Sequence, residues 1–134
     1  MLEAYSIEVE VAAGAPIPFN NVSIQKGCTA VLASPTTIQF NKKGVYAVSF
    51  NTSADPTTTG DIEVQLSKNA VLQPQAQSSV TAATGDVSAL SFSTYVQVTE
   101  DNSPCCCTSP TIVQILNTGV GTTHTCNVCV SKLC

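Results

Sequence analysis

Thr37-Ile38-Gln39-Phe40-Asn41-Lys42-Lys43-Gly44-Val45-Tyr46-Ala47-Val48-Ser49-Phe50 is the stretch on which the fold turns. A short β-branched run closes at Phe40. A polar turn ending in Lys43-Gly44 follows. Tyr46, Val48 and Phe50 then alternate with Ala47 and Ser49. Side chains on a strand alternate faces, so a period of two with one apolar face predicts a half-buried strand. Tyr46, Val48 and Phe50 are therefore expected in the core or on the axis of an oligomer, with Phe92 as a partner.

The same alternation returns on both sides of that stretch. Tyr5, Ile7, Val9 and Val11 alternate with Ser6, Glu8 and Glu10; Ile62, Val64 and Leu66 repeat the pattern, as do Leu90, Phe92, Thr94, Val96 and Val98. Shorter strand-like pieces are Ile17–Ile24, Ala30–Leu32, Thr36–Phe40, Gln75–Ala82, Ile112–Asn117 and Cys126–Leu133. Turn signals separate them: Gly14-Ala15-Pro16, Ser34-Pro35, Asp55-Pro56, Gly60-Asp61, Gly85-Asp86, Ser103-Pro104 and Ser109-Pro110. About ten short strands with no 3.6-residue period predict an all-β antiparallel sandwich or jelly roll. The chain divides into a first strand, residues 1–13, and one globular domain, residues 14–134. The first strand is either an arm that pairs with a neighbouring subunit or an ordinary edge strand.

Composition removes several functions. Charged residues make up only 10 % of the 134 positions, and the net charge is −4. The cations are Lys26, Lys42, Lys43, Lys68 and Lys132, with no arginine. Nucleic-acid binding needs clustered phosphate-neutralising groups, which this set does not supply. No apolar run reaches the ~20 residues of a membrane span. The N-terminus lacks the basic and apolar regions of a signal peptide. Neither a Gly-x-Ser-x-Gly elbow nor a phosphate-cradling glycine loop is present. Glu8 and Glu10 share a strand face, while Asp55, Asp61, Glu100 and Asp101 fall in turn-like sequence and read as solvated. With no tryptophan and three tyrosines, there is little platform for stacking sugars. No enzymatic activity is expected.

Seven cysteines stand out: Cys28, the triplet Cys105, Cys106 and Cys107, and Cys126, Cys129 and Cys134. An odd number leaves at least one sulfur free, metal-bound or paired with another chain. Cys126-x-x-Cys129 suggests zinc, with His124 as a further ligand. On a strand, however, the two thiols point to opposite faces, and a zinc site needs them converging. The alternatives are intrachain disulfides, interchain disulfides, metal and free thiols. If the last two strands are adjacent and antiparallel, the triplet can reach Cys126, Cys129 or Cys134. Cys28 is the candidate for the unpaired thiol. His124 reads as an exposed strand-end residue, with a place on a three-fold axis as the alternative. No cofactor is expected.

The order of these pieces resembles the C1q/TNF-like jelly-roll family. Pro16-Ile17-Pro18-Phe19-Asn20-Asn21-Val22 looks like its opening strand, and Gly44-x-Tyr46-x-x-Ser49-Phe50 like its central signature. Ile62–Asn69 resembles the next strand and turn, where the family often has Asn-Gly and this chain has Asn69-Ala70. Ile115-Leu116-Asn117-Thr118-Gly119 fits near the end. The resemblance covers about residues 16 to 134 and is closest in style to bacterial and prophage-borne members. It departs from the animal members at the C-terminus. It implies a homotrimer with no catalytic role, a decoration or head-fibre-type protein on a phage virion exterior. Other virion proteins, and host-surface glycans, are the implied partners. A bacterial spore- or cell-surface subunit cross-linked by disulfides, or a trimeric glycan- or receptor-binding module, are the alternatives.

Overall fold

A computed structural model describes residues 1–27, 29–99 and 110–133. Ten strands occur among them: β1 (Leu2–Val11), β2 (Asn21–Gln25), β3 (Ala30–Ser34), β4 (Thr37–Phe40), β5 (Gly44–Pro56), β6 (Gly60–Lys68), β7 (Val71–Ala82), β8 (Ser88–Val98), β9 (Thr111–Asn117) and β10 (Thr122–Lys132). They form two five-stranded sheets, ordered β2-β1-β10-β5-β8 and β3-β4-β9-β6-β7. Every pairing is antiparallel. Two sheets packed face to face around one core make a jelly-roll sandwich.

The alternation in the signature stretch sets the core. Tyr46, Val48 and Phe50 point inward from β5 and are fully buried. They are core residues, so the alternative of an oligomer axis is excluded for them. Phe50 packs against Phe19 edge-on at 6.2 Å and against Phe92 at 5.5 Å. Phe92 itself is only partly buried, at the margin of the core. The Phe40 and Tyr46 rings meet at a tilt of 55° with centroids 4.5 Å apart, and the Tyr46 hydroxyl donates to the Lys42 carbonyl at 2.6 Å. The phenol thus buries its ring without orphaning its polar tip.

Four expectations need correcting. First, β1 is neither an arm nor an edge: β10 and β2 flank it within the same chain. Its burial phase is also inverted. Leu2, Ala4 and Ser6 point inward, whereas Ile7 is 67 % exposed. A bulge between Ser6 and Val9, with Glu8 at φ 48°, then resets the phase so that Val11 is buried again. Second, β9 and β10 lie in different sheets, so the last two strands are not neighbours. Third, Ile17–Ile24 is not one strand. Pro16 and Pro18 have no N–H to give a ladder, and the strand starts at Asn21. The segment before it crosses between the layers. Ile17 donates to Ile115 O at 2.7 Å and Phe19 to Pro35 O at 2.6 Å, while both side chains plug the core. Fourth, Asp55 and Asp61 belong to β5 and β6 rather than to turns.

Candidate functional site

The outer face of the first sheet is built in rows by the strand register. Tyr5, Asn127, Asn51 and Ser91 are cross-strand partners from β1 through β10 and β5 to β8. Glu3, Cys129, Ser49 and Ser93 form the next row, and Ser131, Ala47 and Tyr95 lie in the row beyond. Glu3, on β1, is the one charge in these rows. A shallow hollow of about 480 Å³ opens on this face, bordered by Tyr5, Ile7, Asn51, Ser91, Thr125 and Asn127. Glu8, Glu10 and Asp55 fall toward one end of the face. Lys42, Lys43 and Lys132 border a 710 Å³ hollow at the other. Apart from Glu3, the middle is an uncharged band of mostly small side chains, with Tyr5 half-buried in it and Ile7 standing out of it. Small, uncharged side chains let a second surface approach closely without stranding an ion.

Tyr5 and Ile7 were hidden in the sequence by the phase slip in β1: alternation alone assigns them to the core. Tyr95 carried a readable signal. It is an aromatic residue at a polar-parity position, between inward-facing Thr94 and Val96.

His124 is not an exposed strand-end residue. It lies inside β10, fully buried, facing the core. Its Nδ1 is 2.8 Å from the Thr52 hydroxyl, and its Nε2 is buried with no partner. Burial lowers its pKa from 6.5 to about 4, so the ring is neutral at physiological pH. That burial also removes it from any symmetry axis. Nearby, the Asn117 amide is buried and donates to Val11 O at 3.1 Å and Val120 O at 2.9 Å. It ties the end of β1 to the β9–β10 turn.

Cys126 and Cys129 sit on opposite faces of β10, and both are free thiols. Cys126 faces the core beside His124. Burial pushes its thiol up to about 12, against a smaller opposing effect of the Ser6 backbone. Cys129 is half-buried on the outer face. Burial raises its pKa, and Glu3 adds to the rise, because the thiol donates to Glu3 Oε2 at 3.4 Å. Ser23 Oγ holds the other Glu3 oxygen at 2.7 Å. Thiols protonated in this way are poor nucleophiles and poor metal ligands. Among the described residues, no three His, Cys, Asp or Glu side chains gather as a metal site.

Cys28, Cys105, Cys106, Cys107 and Cys134, with Glu100 and Asp101, lie outside the described residues. The described residues on either side of them share one end of the sandwich. Thr29 O accepts from Asn41 N, Gly44 pairs with Val98, Phe40 pairs with Thr111, and Leu133 N donates to Val45 O.

No protein-family model and no curated protein matches the chain. Solved structures do. The globular domain of zebrafish complement 1qA superposes with a TM-score of 0.67 at 11 % identity, covering 96 % of this chain and 94 % of that one. The fold is a C1q/TNF-like jelly roll. Eiger TNF from S. frugiperda gives a TM-score of 0.73 at 12 % identity, over 99 % of this chain and 91 % of that one. PRD1 vertex protein P5 gives 0.56 at 15 % identity, over 99 % and 96 %. Likeness at these identities establishes the fold of this C1q/TNF-like jelly roll and nothing finer. No helix long and apolar enough to cross a membrane occurs among the described residues.

Proposed function

We propose that this jelly roll is a non-enzymatic structural subunit that trimerises through the outer face of its first sheet and decorates the exterior of a phage virion. The observation that carries the assembly is the neutral band around Tyr5, Ile7 and Asn51. Among the described residues of this face, Glu8, Glu10 and Asp55 lie toward one end and Lys42, Lys43 and Lys132 at the other, and Glu3, held by Ser23 and Cys129, is the one charge between them. A cyclic trimer needs two different patches on each copy that fit one another and close a ring. The hollow and the projecting Ile7 beside it supply such relief. The virion setting is supported by the likeness to a phage vertex protein. It is tested by immunogold labelling of intact particles from a lysed host culture. Gold on particle surfaces is expected; label confined to host debris contradicts it.

A second reading is a spore- or cell-surface subunit cross-linked through interchain disulfides. The convergence at one end of the segments flanking Cys28, Cys105–Cys107 and Cys134 favours it. It requires dimer and trimer bands on non-reducing gels that collapse on reduction. A monomer band under both conditions rules it out.

A further inference from the structure

Tyr95 is 69 % exposed, more than any other large hydrophobic side chain among the described residues. It stands on β8, the edge of the first sheet, where β7 at the edge of the second sheet comes alongside. Two hollows flank it, of about 200 and 430 Å³, and Gln75, Thr94 and Tyr95 border both. The first also takes in Gln73, Gln97 and Lys68; the second takes in Ser49 and Ser93. The tyrosine belongs to the lining of both.

The lining is specific in its chemistry. Beside the apolar Leu66, Val96 and Ala47 it offers amides, hydroxyls and one ammonium, with no carboxylate. The polar groups are held in place rather than loose. Gln75 Nε2 donates to Gln73 Oε1 at 3.2 Å, and Gln73 Nε2 donates to Val71 O at 2.9 Å. Gln65 Nε2 donates to Gln73 O at 3.2 Å. The Lys68 ammonium is engaged with Gln97 O at 2.7 Å, so it is not a bare charge awaiting an anion. A lipid would want an apolar trough, and a polyanion would want more cations. A flat aromatic ring between two amide- and hydroxyl-lined hollows suits a ligand with both an apolar C–H face and a rim of hydroxyls.

We propose that Tyr95 and Gln75 form a binding site for neutral saccharides, with pyranose rings in the hollows on either side of the tyrosine. Tyr95 pairs with Ala47, whereas the assembly hollow centres on Asn51 to Ser53. That places the two about 13–20 Å apart along β5. The site is built within one chain, on the part of the first sheet's outer face away from the assembly hollow, with Ser49 and Ser93 between the two.

Saturation-transfer NMR on the full chain tests it, with galactose, glucose, N-acetylglucosamine, rhamnose and short oligomers of each as probes. Transfer to ring C–H protons of at least one sugar is expected. Tyr95→Ala should weaken binding about tenfold or more, Tyr95→Phe should largely preserve it, and Gln75→Ala should weaken it with the fold intact. No transfer to any sugar, or transfer unchanged in both Tyr95→Ala and Gln75→Ala, overturns the proposal. A fall in oligomer mass for Tyr95→Ala also overturns it, by assigning the ring to a contact between copies.

Discussion

His124 combines full burial, one hydrogen bond and one unpartnered ring nitrogen in a single side chain. Such a ring makes stability depend on pH. Above pH 6.5 it is neutral in both folded and unfolded chains. Below that, the unfolded chain takes up a proton that the folded chain refuses until about pH 4. Stability is therefore lost as pH falls through that window. Between pH 7 and pH 5 the loss from this residue is about 2 kcal/mol. Urea midpoints of wild type and His124→Gln check it: the variant should lose that much less over the interval. Equal losses would show that the folded chain protonates the imidazole as readily as the unfolded chain, and would contradict the lowered pKa. Phe50 gives a plainer test. Truncation to Ala removes contacts with Phe19 and Phe92 at the centre of the sandwich and should cost about 3–5 kcal/mol in denaturant unfolding. Gly119 is fixed by close approach, since a Cβ there would come within 2.6 Å of the Glu63 nitrogen. The Gly119→Ala protein should melt well below wild type.

The strands differ in how much of them could be read. β5 and β8 were legible because both bury a run of large apolar side chains at a strict period of two. β1 was not. The core beneath it accepts Ala4 and a hydrogen-bonded Ser6, whose hydroxyl donates to Pro18 O at 2.6 Å and accepts from Asn20 N at 2.9 Å. The larger Tyr5 and Ile7 are thereby left outside, and hydrophobicity alone picks the wrong face. The separation of β9 from β10 was also beyond reach. Sequence neighbours usually pair, and no local residue announces a change of sheet. The β6–β7 turn was half legible. Asn69 and Ala70 lie at φ 50° and 67°, as a type I′ hairpin requires. Alanine pays for that conformation where glycine would not. Ala70→Gly should stabilise the protein by about 0.5–1 kcal/mol, read as a higher urea midpoint; a lower one would mean that the turn is not I′ in solution. The β1–β10 pairing makes a further test. Glu3→Gln removes the carboxylate that raises the Cys129 pKa. Alkylation of Cys129, followed by peptide mapping, should then speed up at pH 8, while Cys126 stays protected.

At the scale of the molecule, charge is arranged by position more than by amount. Among the described residues of the first sheet, Glu8, Glu10 and Asp55 lie toward one end and Lys42, Lys43 and Lys132 at the other, with a band between them that carries only Glu3. None of this was visible in a count of nine acids and five lysines. It arises because β1, β5, β8 and β10, distant in sequence, are brought into common rows. The cysteines show the same principle. Cys126 and Cys129 are three residues apart yet face the core and the surface respectively, while segments remote in the chain converge at one end. The band between the charged ends is the proposed basis of assembly. Ile7→Glu, 67 % exposed in a single chain, should leave the melting of the isolated domain almost unchanged and abolish association. The most direct test is the mass of the native chain by light scattering at micromolar concentration under reducing conditions. Three times the 13.9 kDa chain mass is expected, falling to the single-chain value in Ile7→Glu. A native chain that runs at 13.9 kDa would contradict the account.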